Sequence, residues 1–256
     1  INSSGVVGNA SAYVPTISGD GRYVAFISGA SNLVDGDTNG AFDVFLYDRT
    51  AHQIVDVVDV TGAGNGDLGW SSLSADGRYL VFASTASNLV GGDTNGANDI
   101  FVYDVASHIT ERVSIAPDGA EANGASDQTA ISADGRYVVY RSAASNLVIG
   151  DTNNVLDLFV FDRETHTVQR LSITADGNQA DGSVDGDNLP TISTDGTIIA
   201  YVSNATNLVP NDTNGIADLF VAVRAAGIKV SIADAATDEG NSGARDAVLI
   251  VTLSEA

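Results

Sequence analysis

The feature that most constrains the fold of this chain is a short acidic segment that occurs four times. Its copies span residues 37–43, 93–99, 151–157 and 212–218, and each begins Asp-Thr-Asn and ends in Asp. Each copy follows an Asn-Leu-Val tripeptide and runs into a stretch of apolar residues. Similarity at a regular spacing is the signature of a repeat architecture. The chain is therefore predicted to contain four copies of one small unit.

Each unit is predicted to consist of four antiparallel strands. In the first unit, residues 15–18 form a short strand, and the Asp20-Gly21 pair marks a tight hairpin. Residues 22–28 alternate and form the second strand, residues 44–48 the third and residues 53–60 the fourth. The acidic segment connects the second strand to the third.

The spacing between units distinguishes rigid parts from variable links. The first strands end at equivalent serines, each the same number of residues before its acidic segment: Ser18, Ser74, Ser132 and Ser193. Length varies only in the fourth strand and in the Gly/Asn-rich link that follows. Rigid four-stranded units joined by variable links are typical of a β-propeller. We predict an all-β propeller with four repeats in residues 1–234, the units lying near 15–70, 71–128, 129–189 and 190–234.

Two segments flank or depart from the regular units. Residues 1–14 match the links that lead into the later repeats, so the chain is expected to open just after a strand. The fourth unit has Asp-Gly-Thr at 195–197, where the other units have Asp-Gly-Arg.

Two repeated sequences carry a family resemblance. Ser-Ala-Asp-Gly-Arg-Tyr, together with Ala-Ser-Asn-Leu-Val-x-Gly-Asp-Thr-Asn-Gly, resembles the TolB-type (PD40/WD40-like) propeller repeats of bacterial secreted and cell-surface proteins. The resemblance implies a propeller and an extracellular location. It does not imply a particular function, because propellers support many unrelated ones.

The end of the chain contains Lys-Val-Ser-Ile-Ala-Asp-Ala at 229–235 and Ala-Val-Leu-Ile-Val-Thr-Leu-Ser at 247–254. These two motifs resemble the first two strands of a Calx-β domain. Such a sandwich needs about 100 residues, as immunoglobulin-like sandwiches do. Residues 235–256 are therefore expected to form a partial two-strand hairpin or a linker to a further domain. Their apolar edge, residues 248–253, is expected to recruit another strand, since unpaired edges do so.

Charge restricts the partners. The chain has 33 acidic and 11 basic residues and a net charge of −22. Nucleic acids require basic residues, so they are excluded as partners. No apolar run is long enough to span a bilayer as a helix, and no membrane insertion is expected. There is no cysteine, so a bound cation is the available substitute for a disulfide.

The acidic segments are the candidate metal sites. Asp at the first position, Asn at the third and Asp at the seventh supply carboxylate and amide oxygens, which Ca²⁺ accepts in irregular geometry. The first copy adds Asp35, which makes it similar to the start of an EF-hand loop. The candidate ligands are Asp35, Asp37, Asn39, Asp43, Asp93, Asn95, Asp99, Asp151, Asn153, Asp157, Asp212, Asn214 and Asp218. The alternative is that Asp and Asn only cap their own turns.

Other polar residues favour structural explanations. His52, His108 and His166 occupy equivalent turns in different units and are expected to be solvated rather than to bind metal. Arg22 and Tyr23, with their copies, are expected to pack across the edge of the unit. Trp70 is either partly buried between units or a platform for a sugar. No cysteine, His-activated serine or glutamate pair provides a catalytic site, so the chain is not expected to be an enzyme.

These observations favour a calcium-binding extracellular structural or adhesive module, secreted or displayed on a bacterial-type cell surface. Expected partners are calcium ions, copies of the chain itself through exposed strands, and a cell-surface glycan or protein. A propeller that binds a glycan or peptide is the first alternative. A non-catalytic fragment of a larger secreted enzyme is the second.

Overall fold

The computed structural model describes residues 4–38, 40–56, 68–185 and 188–224. All regular elements in these ranges are β-strands, arranged in four separate antiparallel sheets. The first three sheets have four strands each, and the fourth has three described strands. Each sheet corresponds to one sequence unit and forms one blade, so the predicted all-β propeller architecture is confirmed.

The strands follow one another as a simple meander within each blade. The first blade contains β1 (Ala12–Ile17), β2 (Tyr23–Ser28), β3 (Asp43–Asp48) and β4 (Gln53–Asp56). The second contains β5 (Leu68–Leu73), β6 (Tyr79–Ser84), β7 (Asp99–Asp104) and β8 (Ile109–Arg112). The third contains β9 (Ser126–Ile131), β10 (Tyr137–Ser142), β11 (Asp157–Asp162) and β12 (Thr167–Arg170). The fourth contains β13 (Thr191–Ile192), β14 (Ile198–Ser203) and β15 (Asp218–Val223).

The first strand of the first blade is longer than the sequence predicts. It starts at Ala12 rather than at residue 15, because pairing of Ala12 with Ser28 continues beyond an irregularity between Tyr13 and Thr16. Val14 lies at this bulge with φ 49°. The predicted fourth strand at 53–60 is described only as far as Asp56. The hairpin predicted for residues 235–256 lies outside the described residues.

The core is divided among the interfaces between neighbouring blades. Between the first two blades, Ala25, Ile27, Val44 and Leu46 pack against the buried face of the second sheet, which includes Phe82. Equivalent apolar clusters lie between the second and third blades and between the third and fourth. The first strands of successive blades contact one another and form an inner layer. Stability therefore comes from face-to-face packing of sheets.

The meander separates two ends of each blade. The four acidic segments, hereafter the acidic loops, connect second to third strands and lie at the same end as the links between blades. This end is called the acidic end. The Asp-Gly turns and the histidine turns lie at the opposite end, called the turn end. None of the described segments is a helix long and apolar enough to cross a membrane.

The opening residues are arranged as a link between blades, as the sequence predicts. The backbone N–H of Asn9 donates to Asn32 Oδ1 at 2.8 Å, and Asn32 Nδ2 donates to the carbonyl of Val7. Before the third blade, Asn123 N–H donates to Asn146 Oδ1 at 3.0 Å in the same way. The same local hydrogen bonds thus start both units.

Candidate functional site: the acidic loops

The acidic loop of the second blade is closed by its asparagine. Asn95 Nδ2 donates to Asp99 Oδ2 at 2.8 Å and to the carbonyl of Ala122 at 3.1 Å. Asn95 Oδ1 accepts the backbone N–H of Ala97 at 2.8 Å. The loop is therefore attached both to its own last aspartate and to the link that follows the blade. Asn153 makes the same contacts with Asp157 and Ala180 in the third blade.

The last aspartate of each of these two loops lies deep in the blade. Asp99 is fully buried, and its Oδ1 accepts a hydrogen bond from Ser114 Oγ. The Ser114 hydroxyl in turn accepts the backbone N–H of Ile100. Burial raises the pKa of Asp99, against the opposing effects of the Ser114 and Asn95 hydrogen bonds. Ser172 bonds Asp157 in the same manner in the third blade.

An arginine from the fourth strand lies among the carboxylates of the second loop. Arg112 Nη1 is 2.9 Å from Glu121 Oε1, 3.5 Å from Asp93 Oδ1 and 3.6 Å from Asp99 Oδ2. Its side chain is only 9% exposed. Burial raises the pKa of Asp93, and the charge of Asp99 adds to the rise while Arg112 opposes it. The guanidinium thus occupies the position where the sequence predicts a metal ion.

The third blade repeats this arrangement. Arg170 Nη1 is 3.0 Å from Asp151 Oδ1 and 3.5 Å from Asp157 Oδ2, and its side chain is equally buried. Burial, followed by the charge of Asp157, raises the pKa of Asp151. A buried carboxylate is tolerated when it is paired and hydrogen-bonded. In these two blades the protein supplies that cation itself.

The link after each of these blades completes the loop. Glu121 accepts the N–H and the hydroxyl of Thr94 at 2.6 and 2.8 Å. Gln179 Oε1 accepts the N–H groups of Thr152 and Asn153 at 3.0 and 2.9 Å. The loop backbone is therefore held by a side chain from the next segment of the chain, which fixes the position of the carboxylates.

The first blade lacks the arginine. Arg112 stands opposite Phe101 in strand register, and Arg170 stands opposite Phe159. The residue opposite the equivalent Phe45 is Asp56. In strand register, the first unit therefore has an aspartate at the position that is an arginine in the second and third blades. Asp43 is buried, and Asn39 lies outside the described residues.

The acidic loop of the fourth blade has the same asparagine contact, although only three strands of that blade are described. Asn214 Nδ2 donates to both carboxylate oxygens of Asp218, at 3.3 and 3.0 Å. Asp212 is buried, and within the described part of the chain its Oδ1 accepts no hydrogen bond. The fourth strand of this blade lies outside the described residues.

The candidate ligands are therefore distributed over four blades rather than gathered in one centre. Among the described residues, no three side chains of His, Cys, Asp or Glu are close enough together to hold an ion. The sequence analysis missed Arg112 and Arg170. One signal could have identified them: each arginine follows its turn histidine, His108 or His166, by four positions, where the first unit has Asp56.

The turn end carries a second set of repeated ionic contacts. Arg22 donates to Asp48, Arg78 to Asp104 and Arg136 to Asp162, with closest distances of 2.8 to 2.9 Å. Each guanidinium also lies over the ring of the tyrosine that follows it, at 4.7 to 4.8 Å. The predicted packing of arginine and tyrosine at the blade edge is confirmed. These arginines are committed to structural contacts.

The three histidines are turn residues, as the sequence predicts. His52, His108 and His166 have φ values of 51°, 58° and 53°, in the left-handed region that favours glycine. His108 Nδ1 lies 2.6 Å from the hydroxyl of Tyr103. All three are exposed and belong to different blades. His52 and His108 contact the tyrosine of their own turn, and His166 Nδ1 lies 3.6 Å from Glu111 Oε1 of the preceding blade.

Trp70 lies at the bulge of β5 and is 37% exposed. Its φ is 43°, and Gln128 occupies the equivalent bulge of β9 with φ 49°. The indole is therefore held on the inner layer of strands by a repeated backbone irregularity.

No family model and no curated protein matches the sequence. Solved structures are similar in fold. Dipeptidyl peptidase 4 from Porphyromonas gingivalis matches with a TM-score of 0.53 at 17% identity, over 89% of this chain and 34% of that one. TolB from Acinetobacter baumannii matches with a TM-score of 0.45 at 16% identity, over 87% of this chain and 51% of that one.

A third similar structure is a domain described as a propeller. The β-propeller domain of the Trilobed protease from Pyrococcus furiosus matches with a TM-score of 0.46 at 12% identity, over 84% of this chain and 55% of that one. This chain thus spans about half of the TolB and Trilobed structures and a third of the peptidase. At these identities the likeness concerns fold alone, and in fold the chain is a β-propeller repeat protein similar to TolB.

Proposed function

We propose that the chain is a calcium-binding structural or adhesive module of an extracellular protein, and that calcium binds where a blade lacks its own buried arginine. The observation that carries this proposal is the exchange of Arg112 and Arg170 for Asp56 at one position of the fourth strand. Two blades neutralise their acidic loop with a guanidinium. In the first blade that register position is an aspartate, and the proposed Ca²⁺ supplies positive charge to this loop.

The proposed ion takes its ligands from Asp35, Asp37, Asn39 and Asp43 of the first loop. The described carboxylates are not gathered around one point, so they would close around the ion on binding. The fourth loop is the second candidate, because Asp212 Oδ1 is buried without a hydrogen bond from the described residues. Carboxylate and amide oxygens suit Ca²⁺, which accepts six to eight oxygen ligands. In the second and third loops, Asp93, Asn95, Asp99, Asp151, Asn153 and Asp157 already surround an arginine.

A structural role is supported by the repetition of the polar contacts. The same Asn–Asp, Ser–Asp and Arg–Asp contacts occur in the second and third blades, so these groups serve a repeated structural purpose rather than one reaction. A net charge of −22 without cysteine suits a setting in which abundant calcium stabilises the fold. The resemblance of the repeated motifs to those of bacterial secreted and cell-surface proteins favours an extracellular location.

The test is the dependence of thermal stability on calcium. We expect calcium, and not an equal concentration of magnesium, to raise the melting temperature, with a Kd on the order of 10⁻⁴–10⁻³ M as in extracellular modules. At about 100 times Kd one site contributes roughly 2.7 kcal/mol. A melting curve that is identical in calcium and in chelator would contradict the proposal.

Matched variants locate the ion. Asp37→Asn should reduce the calcium-dependent shift, whereas Asp93→Asn, the equivalent change in the second blade, should leave that shift intact. Asp56→Arg gives the first blade the residue of its neighbours and should also reduce the shift. If Asp37→Asn and Asp93→Asn weakened the calcium response equally, the assignment to blades without arginine would be wrong.

Recognition of a glycan is a second candidate, favoured by the exposure of Trp70. Aromatic faces suit the apolar side of a sugar ring, and strained backbone positions occur at functional sites. A glycan array with the wild-type chain and with Trp70→Ala tests this function. A hit that survives both chelation and the substitution would assign the binding to another surface.

A further inference from the structure

Each blade has two apolar faces with different roles. We call the face toward the following blade the leading face and the face toward the preceding blade the trailing face. In the first blade Ala25, Ile27, Val44 and Leu46 form the leading face, and they pack on the trailing face of the second blade. The same pair of faces meets between the second and third blades and between the third and fourth.

The leading face of the last blade is uncovered by any described residue. Leu219 is 70% exposed, whereas its equivalents Val44, Ile100 and Leu158 are 0% exposed. Ile198, where earlier blades carry the packed tyrosine, is 47% exposed. Large apolar side chains of this leading face are thus exposed, whereas the equivalent faces of the first three blades are buried against the next blade. An exposed apolar patch of this kind marks an interaction site.

Part of the trailing face of the first blade is also left uncovered by the described residues, although Phe45 on that face is buried against Leu33 of its own blade. Ile17 is 58% exposed, whereas the equivalent Leu73 and Ile131 are 8% and 6% exposed. Phe26 and Tyr47 on the same face are half-buried, while their equivalents in the second and third blades are buried. The first blade therefore offers the complement of the surface that the last blade exposes.

The turn end of the first blade carries an arginine equivalent to one that contacts the preceding blade elsewhere in the chain. Arg163 Nη1 donates to the carbonyl of Gly135, and its guanidinium lies 4.2 Å from the ring centre of Tyr79 in the preceding blade. Arg49 Nη1 donates to the carbonyl of Gly21 at 2.7 Å in the same manner. Arg49 of the first blade thus has the position from which Arg163 contacts a preceding blade.

We propose that the exposed leading face of the last blade binds the exposed trailing face of the first blade of a second copy of this chain. The occupant is identified by the three interfaces within the chain, since each joins a leading face to a trailing face. The contact is heterologous, with different surfaces on the two partners. It produces either a closed ring or an open filament, according to the rotation between copies. Ile198 would pack beneath Gly21 and Arg49 of the second copy.

The experiment uses two single variants of the full chain, each blocking one face. Leu219→Asp places a charge on the leading face, and Ile17→Asp places one on the trailing face. Both positions are exposed, so each variant should fold, as circular dichroism will show. Light scattering after size-exclusion chromatography should give oligomers for the wild-type chain and monomers for each variant. An equimolar mixture of the two variants should give a two-chain complex, because each supplies the face that the other lacks.

Ile149→Asp is the matched control, since Ile149 is 98% exposed beside an acidic loop and away from both faces. It should assemble like the wild type. Assembly should persist in chelator, which separates this inference from the calcium proposal. Three results would overturn it: a monomeric wild-type chain whose strand β15 is protected from hydrogen exchange by residues 225–256, a mixture of variants that stays monomeric, or assembly that survives both substitutions in one chain.

Discussion

The ring of Tyr79 packs directly against the α-carbon of Gly135 in the next blade. A Cβ added to Gly135 would lie 2.1 Å from Tyr79 Cδ2, so only glycine fits. Tyr137 repeats the arrangement with Gly196, and Tyr23 repeats it with Gly77. The glycine of the Asp-Gly turn thus has two roles: it allows the hairpin turn, and it leaves space for the tyrosine of the preceding blade.

Gly135→Ala should therefore destabilise the chain through two effects. The left-handed φ of 74° costs roughly 1–2 kcal/mol for any other residue. Displacement of the Tyr79 ring adds about 1–3 kcal/mol of overpacking. The measurement is the midpoint of urea unfolding.

Gly96→Ala is the control for backbone strain alone. Its φ is 63°, and a Cβ there would meet nothing within 4 Å. Gly96→Ala should therefore lose only the stability that backbone strain costs, and so less than Gly135→Ala. Equal losses in the two variants would show that the contact with Tyr79 contributes nothing.

Arg112→Met should be the most damaging change of a single charge in the second blade. It keeps an unbranched apolar stem but leaves Asp93 and Asp99 buried without their guanidinium. Removing one partner of a buried ion pair costs about 3–5 kcal/mol. Arg78→Met removes an arginine whose side chain is 51% exposed beside Asp104, and it should cost about 1 kcal/mol or less. Denaturant unfolding compares them, and a larger loss from Arg78→Met would contradict the role assigned to Arg112.

The stability of the turn end should fall in acid. The hydrogen bond from Arg22 lowers the pKa of Asp48 to about 2, from 3.8. A carboxylate with a depressed folded-state pKa stabilises the fold above its unfolded pKa, and this stabilisation is lost as the pH falls through the folded value. The contribution of Asp48 should therefore be lost between about pH 4 and pH 2.

Asp48→Asn removes the titrating group and should flatten the pH dependence of the unfolding free energy in this range. Arg22→Gln should flatten it too, since without Arg22 the pKa of Asp48 moves back toward its ordinary value. Urea titrations at intervals from pH 2 to pH 6 provide the measurement. An unchanged slope in both variants would contradict the assignment.

His52→Gly should stabilise the first blade. Glycine adopts the φ of 51° without steric cost, while its extra freedom in the unfolded chain offsets part of the gain. We expect a net increase of several tenths to about 1 kcal/mol. His108→Gly should gain less, because it loses a 2.6 Å contact with the Tyr103 hydroxyl, whereas His52 lies 3.5 Å from the equivalent hydroxyl of Tyr47. Thermal melts of both variants decide the order, and a destabilised His52→Gly would disprove the turn argument.

The sequence predicts local features well because they depend on neighbouring residues. Alternation in residues 22–28 and the Asp-Gly pairs predict the strands and hairpins, and the constant spacing predicts the blades. Val14 could not be predicted in this way. A β-branched residue disfavours a positive φ, and the bulge imposes the φ of 49° on it.

Long-range contacts account for what the sequence did not predict. Arginine is rarely buried, so the burial of Arg112 depends on carboxylates supplied by a loop and a link elsewhere in the chain. The contact of Tyr79 with Gly135 likewise joins different units. The residues of both features recur at fixed positions in the sequence. Which residues contact one another can be known only from the packing of one unit against the next.

Because the apolar clusters of the described residues join each blade to its sequential neighbours, the chain should unfold blade by blade rather than all at once. In such linear arrays the total stability is approximately a sum of unit and nearest-neighbour contributions. The second and third blades each have two covered faces, while the outer two each have one. Amide protons of β6 and β10 should therefore exchange last, and pulling on the two ends should release blades one after another from the outside inward.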